Sequence, residues 1–392
     1  MKKSVIVVFI VLVLLTLLKL EPQEKEEEKK QEEVRAIYIS YIELNEYLGD
    51  KPQEEQQKQI DAMIENVKND QFNWILLHVR SFSDSLYPSS VFPTNYMVTR
   101  DEEASLEWDV LAYFIEKAHQ NNIQIHAWIN PFRIRNETDA STISVKNPCF
   151  KWLGTNHVKK IEGKGIYYNP ASLEAQQLIL AGIKEIVENY EVDGIHFDDY
   201  FYPDDTIDQE NYQAYQEEGG SLSKSKYRLQ VINQFIQKVY QTVKESNQNV
   251  LFGIAPDGNI DNNYNKNYAD ILTWVGEKGY VDYIMPQLYY GFQNETKPYS
   301  TTLNQWNDYI KQEEIFFMPV LAFYKTGEVD QYAKSGSSEW QTHNNIIANQ
   351  IQFARHTTHY HGFTIFRYDS LYGEKSKTRE EEYQNFQTLL QK

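Results

Sequence analysis

From Val34 onward the chain alternates two hydrophobic rhythms. Short runs of apolar, β-branched or aromatic residues occur at Arg35–Tyr41, Trp74–Arg80, Gln124–Asn130, Gly194–Tyr200, Val250–Asp257, Val281–Tyr289, Phe316–Tyr324 and Gly362–Tyr368. Runs of this length without strict polar alternation predict strands buried on both faces, as in a parallel sheet covered by helices. Segments with helical spacing separate them: Gln59–Lys68, Leu106–Gln120, Leu173–Tyr190, Tyr227–Lys244, Tyr268–Glu277, Leu303–Lys311, Asn345–His356 and Glu380–Leu390. Pro170 and Ser172 mark one helix start, although Ala175 in place of an acid leaves the capping box half complete. Eight β units, each followed by an α unit, predict an α/β fold, the (β/α)8 TIM barrel. A doubly wound open sheet is the competing arrangement. It usually carries a glycine-rich phosphate loop after its first strand, whereas Ile42-Glu43-Leu44 follows Tyr41 here. Two connections are long, about Pro131–Pro170 and Pro203–Lys226. In a barrel both lie on the C-terminal face, where substrates bind.

The first 33 residues stand outside this pattern. Lys2 and Lys3 precede an almost wholly apolar stretch, Ser4–Leu18. This is the n-region and h-region of an export signal. No small-residue cleavage site follows, so residues 1–20 are expected to be a signal anchor, with a cleaved signal peptide as the alternative. Lys3 and Lys19 can snorkel to the two interfaces and extend a short span. The positive end then stays in the cytoplasm, giving a single-pass membrane protein with an extracellular catalytic domain; cleavage would give a secreted one. Residues 21–33 are Glu, Lys and Gln-rich, a charged linker. Residues 34–392 form the predicted catalytic domain.

Composition narrows the chemistry. The net charge of -18 and pI near 5.0 argue against nucleic acid as a partner. The single cysteine, Cys149, excludes an internal disulfide and a cysteine-built metal site. The 29 tyrosines, 19 phenylalanines and 7 tryptophans supply flat amphipathic rings that suit sugar faces as well as cores.

In a barrel, chemistry concentrates at the C-terminal strand ends. Read in order, these carry Arg80 and Asp84, Asn130 and Arg133, Asp198 and Asp199, Asp257, Gln287 and Tyr289, Tyr324, and Arg367 with Asp369. Carboxylates, amides, guanidiniums and rings together suit a polyhydroxylated substrate. The fourth run, Asp193-Gly194-Ile195-His196-Phe197-Asp198-Asp199-Tyr200, is the most informative. Strand alternation puts His196 and Asp198 on one face and turns Asp199 away, unless the strand has already ended. Asp193 lies about 16 Å below Asp198, at roughly 3.3 Å per residue, and cannot act with it. His78, His126 and His196 face inward by the same alternation. They are expected to form a hydrogen-bonded layer inside the barrel rather than a metal site, and no cofactor is called for.

Several strings resemble one family. They are His78-Val79-Arg80 running to Asp84-Ser85-Leu86-Tyr87-Pro88-Ser89, Ala127-Trp128-Ile129-Asn130-Pro131-Phe132-Arg133, and Asp193 to Pro203. Phe252-Gly253-Ile254-Ala255-Pro256 and Asp282-Tyr283-Ile284-Met285-Pro286-Gln287-Leu288-Tyr289 complete the set. Together they resemble the glycosyl-hydrolase-like 10 family. The resemblance implies a (β/α)8 glycosidase acting on polysaccharide, with bacterial cell-wall glycan (peptidoglycan) as the expected substrate. The fourth run is also similar to chitinase-like barrels, but Tyr200 stands where those carry their Glu proton donor. It is closer to amylase-like barrels, which place an Asp nucleophile at the position of Asp198. Glycosidases mostly pair two carboxylates. Asp198 is therefore expected to be the nucleophile or base. Asp257, at the end of the neighbouring run, is expected to be the general acid, with Asp84 and Asp199 competing. Arg80, Asn130, Arg133, His196, Asp199, Tyr200, Gln287, Tyr289, Tyr324 and Arg367 are the candidate substrate-binding residues. A sugar-binding barrel without catalysis and a metal-dependent polysaccharide deacetylase are the alternative readings.

Overall fold

The computed structural model describes residues 32–199 and 201–391. The expected signal anchor, nearly all of the charged linker, and Tyr200 lie outside the described residues. Among the described residues, no helix is long and apolar enough to cross a membrane.

All eight apolar runs form strands: β1 (Val34–Ile39), β2 (Trp74–Arg80), β3 (Gln124–Ile129), β4 (Gly194–Phe197), β5 (Leu251–Ile254), β6 (Tyr283–Ile284), β7 (Phe316–Phe317 and Val320–Ala322) and β8 (Gly362–Phe366). Every pairing among them is parallel, in the order of the chain, and β1 pairs with both β2 and β8. Strand β7 is split at Met318–Pro319. Its first segment pairs with β6 and its second with β8, so the split strand joins the two ends of the sheet and closes the barrel. Proline has no N–H to give to a ladder, which explains a break at this point.

Each strand leads to a helix: α1 (Gln53–Asn69), α2 (Val110–His119), α3 (Leu173–Asn189), α4 (Lys224–Ser246), α5 (Ile271–Gly276), α6 (Tyr299–Tyr309), α7 (Ile346–Ala354) and α8 (Lys377–Leu390). Ser172 caps α3 by accepting the Ala175 N–H at 3.2 Å, and the reciprocal bond of a capping box is missing, as the sequence implies. Two apolar layers result. Ile75, Leu77 and Val79 of β2 pack outward under the helices, whereas Trp74 and Leu76 join Tyr38, Trp128 and Tyr283 inside the barrel. The long connection after β3 builds its own antiparallel sheet from Arg133–Arg135, Val158–Ile161 and Gly165–Tyr168. That sheet fixes Arg133 over the C-terminal face.

Glycines make room for the large interior rings. A Cβ on Gly194 would lie 2.1 Å from His126 Nδ1, and one on Gly253 would lie 2.0 Å from the Tyr283 ring. Both rings are fully enclosed, so neither can swing away. Gly194→Ala is therefore expected to destabilise the protein by about 1–3 kcal/mol, the range of overpacking, read as a lower urea midpoint. An unchanged midpoint would mean that the layer is soft.

Candidate active site

The barrel interior holds the expected polar layer. His126 Nδ1 lies 2.9 Å from the Tyr283 hydroxyl, that hydroxyl lies 3.2 Å from His196 Nδ1, and His196 Nε2 lies 2.8 Å from the Tyr38 hydroxyl. Burial pushes His126 down to about 3 and holds His196 well below the usual imidazole range, so both rings are neutral. His78 departs from this pattern. It stacks on Trp128 with ring centroids 3.6 Å apart. Among the described residues, no three His, Cys, Asp or Glu side chains are grouped as a metal site.

Two cavities meet above this layer. The smaller, about 260 Å³, is walled by Tyr38, Tyr41, His78, Trp128, Arg133, Asp198 and Phe366. The larger, about 700 Å³, is walled by Asp257, Tyr290, Asn294, Tyr324, Val329 and Tyr332, among others. Asp199, Gln287 and Tyr289 line both.

Strand β4 explains the carboxylate pair. Phe197, its last residue, packs outward, and Asp198 takes the inward position at the rim of the smaller cavity. Pairing has ended by Asp199. There the chain bends, with the Phe201 N–H donating to the Asp199 carbonyl at 3.0 Å. Alternation no longer applies, and Asp199 turns into the cleft instead of away from it. Burial, followed by the negative charge of Asp257, pushes Asp199 up to about 6, against the opposing pull of Gln287 and Arg133. Asp193 sits at the other end of the strand. Its Oδ2 lies 2.9 Å from His119 Nε2 and accepts the Ile125 N–H at 2.7 Å.

Asp257 reaches the larger cavity, but its carboxyl is engaged in a turn. Oδ1 accepts the Asn259 N–H at 2.8 Å and Oδ2 accepts from Asn262 Nδ2 at 2.9 Å. Both oxygens are committed as acceptors within the turn. Asp257→Asn is thus expected to lower the Asp199 pKa from about 6 toward the ordinary carboxylate value. Carboxyl carbon shifts followed through a pH titration would register the change. An unmoved midpoint would assign the elevation to burial alone.

The remaining candidates divide. Arg133 lies in the smaller cavity, its Nε donating to the Ser81 carbonyl at 3.2 Å and its guanidinium 5.0 Å from the centre of the Phe82 ring. Tyr324 lines the larger cavity, edge-on to Tyr289. The other described candidates line neither cavity. A register shift between His78 and Arg80 sets Arg80 opposite Ile129, and its guanidinium packs outward on the Phe92 ring at 4.6 Å. His196 is spent in the interior layer. Asn130 is fully buried beside His78. Arg367 pairs with the buried Glu43 at 2.5 Å. Asp84 is enclosed and accepts the Tyr96 N–H at 3.1 Å, which pins the loop that leaves β2. Burial pushes Asp84 up to about 6, away from both cavities.

The model of the glycosyl hydrolase-like 10 family matches residues 33–337. The chain belongs to this family. It is 30% identical over 295 residues to the glycosyl hydrolase YngK of Bacillus subtilis (strain 168), a match covering 69% of this chain and 56% of that protein. It is 28% identical over 344 residues to the glycosyl hydrolase DigH of Escherichia coli (strain K12), covering 81% and 76% respectively. The chain thus spans little more than half of the first relative. Among solved structures, the glycoside hydrolase domain of PgaB (BpsB) from Bordetella bronchiseptica superposes with a TM-score of 0.56 at 12% identity, covering 92% of this chain and 98% of that one. An endo-1,4-beta-mannanase from Eisenia fetida gives 0.51 at 11% identity, covering 92% and 91%. These establish the (β/α)8 glycosidase fold for this family member.

Sequence reasoning passed over several cleft residues. Tyr38 and Trp128 occupy inward strand positions, so alternation could have found them. Tyr290 and Tyr332 lie in loops without periodicity, and no local pattern marks them.

Proposed function

We propose that this chain hydrolyses glycosidic bonds within a polysaccharide by a two-carboxylate mechanism, with Asp198 as nucleophile or base and Asp199 as general acid. The observation that carries this reading is the adjacent pair at the end of β4. Asp198 faces the smaller cavity, and Asp199 faces both cavities with a pKa near 6. A general acid must hold a proton close to working pH and reach the bridging oxygen between two sugars. The place of Asp199 on the wall of both cavities and its raised pKa support it in this role, whereas Asp257 is held as an acceptor and Asp84 lines neither cavity. This moves the acid role from Asp257, the sequence expectation, to its neighbour across the sheet.

The proposed reaction follows. Asp199 gives its proton to the leaving oxygen as the C1–O bond breaks. Asp198 attacks C1 or deprotonates the water that does so, and water finally supplies the anomeric hydroxyl. Arg133, Gln287 and Tyr289 hold the sugar at the junction. Trp128 Nε1, which has no hydrogen-bond partner among the described residues, is a donor for its substituents. The proposed substrate is bacterial cell-wall glycan. The Lys2–Lys3 start and the apolar Ser4–Leu18 support export and a membrane tether, which would bring the barrel to that polymer.

Incubating the full chain with purified peptidoglycan glycan strands tests the reading. New reducing ends are expected. Binding without release would instead favour a sugar-binding barrel.

A further inference from the structure

We infer that the larger cavity binds the leaving-group side of the glycan over more than one sugar unit, with Tyr332 as its outer stacking platform. This rests on the assignment of Asp199 as general acid. An acid that protonates the bridging oxygen touches the sugars on both sides of the bond. Asp199 is a wall shared by the two cavities, so each cavity takes one side. Asp198 acts on C1 of the sugar that is attacked, and Asp198 lines the smaller cavity alone. The attacked sugar therefore sits there, and the departing chain leaves through the larger one.

Size and surface agree with this direction. At about 700 Å³ against about 260 Å³, the larger cavity has room for a longer segment than the smaller. Its outer wall is a loop that carries unusually open side chains: Tyr332 is 76% exposed, Val329 57% and Tyr324 37%. The loop is nevertheless fastened. Lys325 Nζ donates to the Tyr289 carbonyl at 2.8 Å and pairs with Asp330 at 2.9 Å, and Asp330 Oδ1 accepts the Tyr332 N–H at 3.2 Å. A ring on a fastened loop, facing a cleft and left open, suits the apolar face of a pyranose. The tie through Lys325 runs back to Tyr289, which lines both cavities, so the platform and the junction share one support.

Two substrates separate this inference from the hydrolase reading: end-labelled peptidoglycan oligosaccharides of increasing length, and an aryl glycoside whose leaving group is a single phenol. Tyr332→Ala is expected to raise KM for the long oligosaccharides roughly tenfold, the factor for about 1.4 kcal/mol of lost stacking, with kcat little altered. The loss on the aryl glycoside should be far smaller, because a phenol does not reach Tyr332. Tyr332→Phe keeps the ring and should restore KM. Equal losses on both substrates, or no loss on either, would overturn the assignment. A chain that releases no reducing ends yet binds long oligosaccharides through Tyr332 would overturn the hydrolase reading and the leaving-group direction together. Equal binding by the parent and Tyr332→Ala would overturn the platform itself.

Discussion

Replacing Asp198 with asparagine is expected to lower kcat on glycan by on the order of 10⁴-fold, because it removes the group that attacks C1 or activates water. The substitution preserves size and shape at a residue that is 5% exposed, so the strand end should keep its geometry. Binding of the intact oligosaccharide should change little, since Arg133, Gln287 and Tyr289 remain. Steady-state kinetics give kcat, and calorimetric titration of the unreactive variant gives affinity. A matching melting temperature would exclude misfolding. Near-normal turnover would move the attack to another group. Asp193 is tied at the far end of the strand to His119 and Ile125, so such a result would leave Asp199, which lines both cavities, as the carboxylate to test next.

Why this residue was legible in the sequence, and others were not, has a physical basis. A buried parallel strand alternates its side chains strictly. The apolar run ending at Phe197 therefore announces both the strand and the inward position after it. The same rule located His126 and His196 inside the barrel. It failed where the backbone departs from regularity. The register shift in β2 sends Arg80 outward, although counting from His78 places it inward. Pairing ends at Phe197, so Asp199 faces the cleft that alternation denied it. Long-range pairing escapes local pattern in another way. Arg367 reads as a free strand-end cation until Glu43, 324 positions earlier, is found beside it. The loop platform of Tyr332 is likewise built by ties among Tyr289, Lys325 and Asp330 that no periodicity reports.

Asp199→Asn is expected to cost about 10²–10⁴-fold in kcat/KM on glycan, the usual range for a lost general acid. The size of the loss should depend on the leaving group. A sugar oxygen leaves poorly without a proton, whereas a dinitrophenolate leaves readily without one, so activity on a dinitrophenyl glycoside should fall much less. The pH profile carries the sign. The acid works while protonated. With a pKa near 6, raised by burial and by the charge of Asp257, the protonated fraction of Asp199 falls tenfold per unit above that pH. Wild-type kcat/KM on glycan should therefore decline on the alkaline side from about 6, and this decline should vanish in Asp199→Asn, leaving a low, flat limb. If Asp257 were the donor, Asp199→Asn would remove a neighbouring negative charge. The alkaline decline would then persist in the variant, with much of the activity retained. A retained decline thus assigns the proton to Asp257. A lost decline together with a leaving-group-dependent rate assigns it to Asp199.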